Sequence, residues 1–344
     1  MSQVNVHNEW DPLEEVIIGT ARGARTPMPD LGLFAVEYAS LESPDHIPSG
    51  PFPDWLVEET EAELNQLCDE LTRLGVRVRR PIPRDHAATH ATPDWSSEGY
   101  FDYCPRDGLL TIGHTIIETL MVLRARFLES LSYKDLLLEY FNSGARWISA
   151  PKPRLSDEMY RPDRVQGERL ADLEPAFDAA NVLRLGTDLL YLVSDSGNEM
   201  GCRWLQSVIG DEYRVHPCRG IYASTHVDST IVPLRPGLVL LNPERVNENN
   251  MPDVLRGWDK VWAPEMVDIG YTGVPKASTW IGMNLLVVRP GLVVADVRQP
   301  DLLRVLGKHG VDVMPLPLTH ARTFGGGFHC VSLDVRRTGH LETY

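Results

Sequence analysis

The sequence predicts an α/β fold in which five similar units close into a pseudo-fivefold ring. Two recurring patterns and the two chain ends predict it. First, five times a helix-like stretch ends at a glycine, a short strand-like run follows and a proline closes it. These are Gly75-VRVRR-Pro81, Gly144-ARWISA-Pro151, Gly210-DEYRVH-Pro217, Gly257-WDKVWA-Pro264 and Gly310-VDVM-Pro315. Second, beyond each closing proline a polar residue opens a strand–turn–strand: Asp107-GLLTIGHTIIET, Asp178-AANVLRLGTDLLYLVS, Asp228-STIVPLRPGLVLLNP, Asn284-LLVVRPGLVVADV and Cys330-VSLDVRR. The fifth lacks a second strand near the C-terminus, and the run Glu14-EVIIGTA near the N-terminus can supply it. The simpler alternative is an ordinary doubly wound α/β domain.

The individual elements follow from local chemistry. From Asp54, read as an N-cap, Leu56, Leu64, Leu67, Leu71 and Leu74 fall at helical spacing, and Gly75 offers the left-handed C-terminal cap. The stretch from Leu123 to Ser143 repeats this with Phe127, Leu131, Leu138 and Phe141 before Gly144. Glycines and Pro-Gly pairs between apolar runs mark hairpin turns. No linker or composition shift divides the chain, so residues 1–344 are expected to form a single domain. Stretch 43–53 is rich in proline and reads as a surface loop or lid; a second loop spans 151–175.

Composition narrows the function classes. The chain has 344 residues, 43% hydrophobic, with 33 Lys+Arg against 48 Asp+Glu and a net charge of −15. That argues against nucleic acid or an anionic membrane as partner, since both need an excess of cations. No apolar run approaches the ~18 residues of a membrane span. The opening residues Met1 to His7 lack the basic flank and apolar stretch of a signal peptide. Five scattered cysteines, none in C-x-x-C spacing, speak against a disulfide scaffold or a zinc site, and a reducing cytoplasm is expected.

In a ring of equivalent units, equivalent positions converge on the axis. The hairpin openers are Asp107, Asp178, Asp228, Asn284 and Cys330, with His226 two residues before Asp228 and on the same face of an extended chain. Separately, each has an ordinary explanation: a turn residue, a helix cap, a surface histidine or a small buried thiol. Together they describe a pocket. Paired carboxylates match a guanidinium, whose N–H donors they accept bidentately. A thiolate beside them can attack its electron-poor carbon, and an imidazolium can lower the thiol pKa and protonate a departing amine. Gly325, Gly326 and Gly327 precede Phe328-His329-Cys330 and are read as allowing close backbone approach to a ligand.

These motifs resemble the amidinotransferases of the guanidine-modifying, or pentein, superfamily. The resemblance covers nearly the whole chain: Cys104-PRD-Asp107, Ala150-PKP-Pro153, Phe177-DAAN-Asn181, Thr225-HVDST-Thr230, Leu241-NPERV-Val246, Ser278-TWIGMN-Asn284 and Gly325-GGFHC-Cys330. It implies a five-bladed α/β propeller. It implies Cys330 as the nucleophile that takes the amidino group from L-arginine, His226 as general acid and base, and Asp178 as its orienting partner. Asp107 and Asp228 would hold the guanidino nitrogens, and Arg245 and Ser278 the amino-acid end of arginine. It implies a ping-pong reaction without metal or organic cofactor, and a homodimer as the assembly. The phrases Val6-HNEWDPLEEVI and Ile47-PSGPFPD-Asp54 resemble the branch serving streptomycin-type aminoglycoside biosynthesis, which implies an aminocyclitol phosphate, scyllo-inosamine 4-phosphate, as acceptor. Arg22, Arg25, Lys276 and Arg322 are the candidate anion-binding cations. Leu120 stands where the family has a proline, a departure that touches the loop near Asp107 and Glu118. Three alternatives stay open: another acceptor amine such as glycine, hydrolysis of arginine, and arginine binding without turnover.

Overall fold

The computed structural model describes residues 3–344; Met1 and Ser2, part of the opening stretch read for a signal peptide, lie outside the described residues. Five three-stranded sheets, each built alike, dominate it. In four of them an antiparallel hairpin comes first: Leu109–Ile112 with Thr115–Glu118, Val182–Leu185 with Asp188–Leu192, Ile231–Arg235 with Leu238–Leu241, and Leu286–Arg289 with Leu292–Asp296. The second hairpin strand then pairs in parallel with the next strand in the chain, Arg146–Ser149, Arg214–Cys218, Asp259–Trp262 and Asp312–Leu316 in turn. The fifth sheet joins both ends of the chain. Ser332–Arg337 runs antiparallel to Leu13–Ile18, and Leu13–Ile18 pairs in parallel with Arg77–Arg79. The strand expected from the N-terminal run is therefore where the pattern required it.

Three details of the repeat differ from expectation. Each sheet groups a hairpin, a crossover and the strand after it, because parallel neighbours need a long connection between them. The crossovers carry helices Asp54–Arg73, Lys134–Asn142, Glu199–Ile209 and Pro300–Lys308, but between Leu241 and Asp259 the only helical piece is a 3₁₀ turn, Asp253–Leu255. Pro217 and Pro315 lie within strands rather than closing them. Both strands are sheet edges, where the missing N–H breaks no ladder.

The first helix buries Leu56, Leu64, Leu67 and Leu71, as their spacing requires, and ends at Gly75 with φ +86°. Pro53 holds the cap position, and Asp54 sits in the first turn, where its charge faces the positive end of the helix dipole. The stretch from Leu123 is not one helix. It runs through 3₁₀ turns Arg124–Arg126 and Glu129–Tyr133 before the α-helix starts at Lys134, and these tighter turns shift the phase. Leu136, Leu137 and Tyr140 are buried, whereas Leu131, Leu138 and Phe141 are 40%, 44% and 54% exposed. Among the described residues no helix is long and apolar enough to cross a membrane.

The N-terminal segment ties the sheets together. Asn5 N–H donates to Val335 O, Val6 N–H to Gly113 O, and Gly186 N–H to His7 O. Behind this backbone seam lies a buried ionic cluster. Glu9 accepts a bidentate pair from Arg184 at 2.8 and 2.8 Å. Asp334 receives Arg184 at 2.9 Å, Arg337 at 2.6 Å and also Arg106. Burial alone would raise the Asp334 pKa, but the three guanidinium groups hold it well below the ordinary value. Breaking such a set leaves uncompensated charge in the interior. Asp334→Asn should therefore destabilise the fold by about 3–5 kcal/mol at neutral pH, measured by denaturant unfolding. The Asp334 contribution is present above the ordinary aspartate pKa and is lost as pH falls through the depressed folded value.

Candidate active site

The five residues that open the hairpins come together as expected, because each stands just before the first strand of its sheet. Cys330 is the hub. Its Sγ lies 3.1 Å from Asp228 Oδ2 and accepts from Asn284 Nδ2 at 3.2 Å. Asn284 Oδ1 in turn accepts from the backbone N–H groups of His329 and Cys330, which fixes the turn carrying the thiol. His226 Nε2 is 2.9 Å from Asp178 Oδ2, and Asp178 Oδ1 is anchored by the Val122 N–H at 3.0 Å. The other ring nitrogen, Nδ1, is 3.6 Å from Asp107 Oδ1. That oxygen is buried and has no hydrogen-bond partner, while Oδ2 takes Arg126 at 2.7 Å.

The charges in this cluster act on one another. Hydrogen bonding to Cys104, burial and the Asp228 charge all push the Cys330 thiol well above its ordinary pKa, against a hydrogen bond to His226 that lowers it. Burial would lower the His226 pKa, but Asp107, the bond to Asp178 and the bond to Cys330 hold it well above the ordinary value. Burial would raise Asp228, yet His329 and His226 keep it at about 2. The shifts thus favour a neutral thiol beside an imidazolium and an ionised Asp228.

Arg245 and Ser278 are also neighbours. Arg245 donates to Ser278 Oγ at 3.1 Å, to Ser229 Oγ at 3.1 Å and to Thr230 Oγ1 at 2.9 Å, so it is attached to the segment that carries Asp228. Its guanidinium lies 3.6 Å from the centre of the Tyr222 ring. A cleft with a cavity volume of about 60 Å³ opens beside the cluster; Cys104, Asp107, Asp178, His226, Lys276 and Gly325 are among its walls. The glycine run is also packed against the protein itself, with Gly325 on the cleft wall. A Cβ at Gly325 would press on the Lys276 stem, one at Gly326 on Cys104 Sγ, and one at Gly327 on Asn284. The bare backbone makes room for side chains of the protein itself.

Asn284 was expected in the pocket as a hairpin opener, without a role; Cys104, Arg126 and His329 were not anticipated as site residues. Asn284 and Cys104 belong to quoted motifs, and both touch Cys330. Arg126 is shared between Asp107 and Glu129, with Nη1 at 2.7 Å from the first and Nε at 2.6 Å from the second. His329 joins Asp228 at 2.9 Å to Glu9 at 3.3 Å. Asp107, His226 and Cys330 bring one ligand atom each within 4.8 Å of one another, the one such metal-compatible group among the described residues. Leu120, at the departure from the family pattern, is buried, and Thr119 beside it donates its N–H to Gly108 O.

Known proteins share this architecture along the full chain. Inosamine-phosphate amidinotransferase 1 of Streptomyces glaucescens is 70% identical over 346 residues, covering 100% of this chain and 99% of that one. The solved inosamine-phosphate amidinotransferase of Streptomyces griseus superposes with a TM-score of 0.99 at 69% identity, covering 100% and 99% of the two chains. The L-arginine:L-lysine amidinotransferase of Pseudomonas savastanoi pv. phaseolicola is 37% identical over 100% of this chain and 97% of its own. No protein-family model matches the chain. Full-length identity at this level, on a fold that gathers a thiol, an imidazole and three carboxylates, makes this chain a member of the amidinotransferase family.

Proposed function

We propose that this amidinotransferase moves the amidino group of L-arginine to scyllo-inosamine 4-phosphate, in streptomycin-type antibiotic biosynthesis, through an amidino-cysteine at Cys330. The observation that carries the chemistry is a thiol held among carboxylates with an imidazolium at hand. The acceptor is supported by the 70% identity to inosamine-phosphate amidinotransferase 1.

Each residue then has a part. Asp107, with one buried oxygen unsatisfied, and Asp228 receive the guanidinium N–H groups. Arg245 and Ser278, bonded to each other, bind the amino-acid end of arginine. The incoming cation offsets the carboxylate field that keeps Cys330 protonated, and the thiol proton leaves to solvent. The thiolate forms a bond to the guanidino carbon. His226, oriented by Asp178, gives its proton to the departing nitrogen as the carbon–nitrogen bond breaks, and ornithine leaves. The acceptor amine then attacks the amidino carbon, His226 takes a proton from it, and the carbon–sulfur bond breaks to restore the thiolate.

The same proposal treats residues 1–344 as one domain whose five sheets are the blades of a closed propeller. The seam from the N-terminal segment to three of the sheets supports this. A cytoplasmic location is supported by the five free cysteines. A homodimer rests on the family alone.

Two outcomes follow. Incubated with arginine and scyllo-inosamine 4-phosphate, the protein should yield ornithine and a guanidinylated cyclitol phosphate by mass spectrometry, and Cys330→Ala should lower ornithine release by ~10³-fold or more. Citrulline in place of ornithine would reassign the chain to hydrolysis. Because the free thiol is held above its ordinary pKa, iodoacetamide should label Cys330 slowly at neutral pH, with the rate rising only in alkaline buffer. In Asp228→Asn that rise should move to lower pH, since a charge opposing the thiolate is gone; pH-dependent labelling read by peptide mass spectrometry checks both.

A further inference from the structure

The cleft beside His226 has carboxylates on its walls, Glu37, Asp107 and Asp178 among them, in a chain of net charge −15. A phosphorylated acceptor must enter against that field. Of the four cations that the sequence suggests for an anion site, three are already engaged. Arg22 pairs with Glu61 at 3.4 Å, Arg25 with Glu98 at 2.7 Å, and Arg322 with Asp268 at 2.5 Å while also donating to Ala277 O. The other cations of the cleft wall are committed too, Arg126 to Asp107 and Glu129 and the His226 imidazolium to Asp178.

Lys276 differs from all of them. It lines the cleft, and its ammonium is buried without a hydrogen-bond partner. Three ring faces surround it, Tyr100 at 3.9 Å, Phe52 at 5.2 Å and Phe101 at 5.3 Å from Nζ to the ring centres. Aromatic faces attract a cation but accept few hydrogen bonds, so three N–H donors stay unsatisfied. Glu37, the nearby carboxylate, is occupied by the Tyr100 hydroxyl. The stem lies against Gly325, where any Cβ would press on it, so the turn leading to Cys330 sets where the ammonium stands. Burial lowers the Lys276 pKa to about 7, which means an arriving anion would be met by a group whose charge it stabilises.

We propose that Lys276 is the specificity-determining residue that receives an oxyanion of the second substrate, the phosphate of the acceptor, and so selects phosphorylated over unphosphorylated amines. The proposal rests on the aminocyclitol-phosphate reading above. A phosphate supplies several strong acceptor oxygens to an ammonium that has none. Phe52 brings stretch 43–53, expected as a loop or lid, into the wall of the same subsite. The other oxyanion on offer is the arginine carboxylate, which the reading above gives to Arg245 and Ser278.

The test crosses enzyme variant with ligand variant. Acceptor kcat/KM is measured for scyllo-inosamine 4-phosphate and for its dephosphorylated form, in the wild type, Lys276→Met and Lys276→Arg. The wild type should prefer the phosphorylated amine; Lys276→Met should lose about 10- to 100-fold of that preference, and Lys276→Arg should regain part of it. An unchanged preference in Lys276→Met overturns the proposal, as does a loss that falls on the KM for arginine instead. Inorganic phosphate, titrated by calorimetry, gives a readout independent of the acceptor. It should bind the wild type and lose affinity in Lys276→Met; equal binding to both overturns the site. If the wild type guanidinylates neither amine but phosphate binding still depends on Lys276, the oxyanion subsite stands and the acceptor reading falls.

Discussion

An excess of negative charge around one thiol governs this site. Asp228 lies 3.1 Å from the Cys330 sulfur, and Asp107 leaves a buried oxygen without a partner. Arg126 cannot cancel the field, since it is shared with Glu129. A neutral amide entering this cleft would leave the carboxylates uncompensated and the thiol protonated. In the mechanism we propose, a guanidinium satisfies the carboxylates and frees the thiolate in one event, so binding and activation are coupled by the same charge.

The site and the pairing of the two chain ends share one sheet. Cys330 stands two residues before Ser332–Arg337, the strand that pairs with Leu13–Ile18 from the other end of the chain. The cluster of Glu9, Arg106, Arg184, Asp334 and Arg337 lies directly behind it, and His329 bridges the two layers from Asp228 to Glu9. The position of Cys330 is therefore tied to the register between the two chain ends. A buried ionic set of this kind adds little net stability over an apolar packing, and its stronger effect here is to penalise every arrangement that leaves one member unpaired.

Much of this was legible in the residues. Periodicity and turn glycines marked five hairpins and the strand borrowed from the N-terminus, because local spacing encodes which face is buried and where the chain reverses. The pocket residues followed from equivalence: Asp107, Asp178, Asp228, Asn284 and Cys330 hold one position in five units. What was not legible depends on tertiary partners. The 3₁₀ turns after Leu123 are set by packing around Arg124 and Arg126, and they moved the buried face from Leu138 and Phe141 to Leu136, Leu137 and Tyr140. The use of the glycine run could not be read locally, since the atoms it accommodates, on Lys276, Cys104 and Asn284, come from distant segments. Likewise no spacing singles out Lys276 among the basic residues; its lack of a partner is visible only when the other three are seen in their ion pairs.

We propose that Cys330 carries the amidino group between two separate half-reactions. It is tested most directly by giving the protein arginine and no acceptor, quenching, and weighing the peptide that contains Cys330. One amidino group on Cys330 and one equivalent of ornithine released before any acceptor is added are expected. Ornithine that appears only when the acceptor is present, with Cys330 unmodified, would contradict it and require direct transfer between two bound substrates.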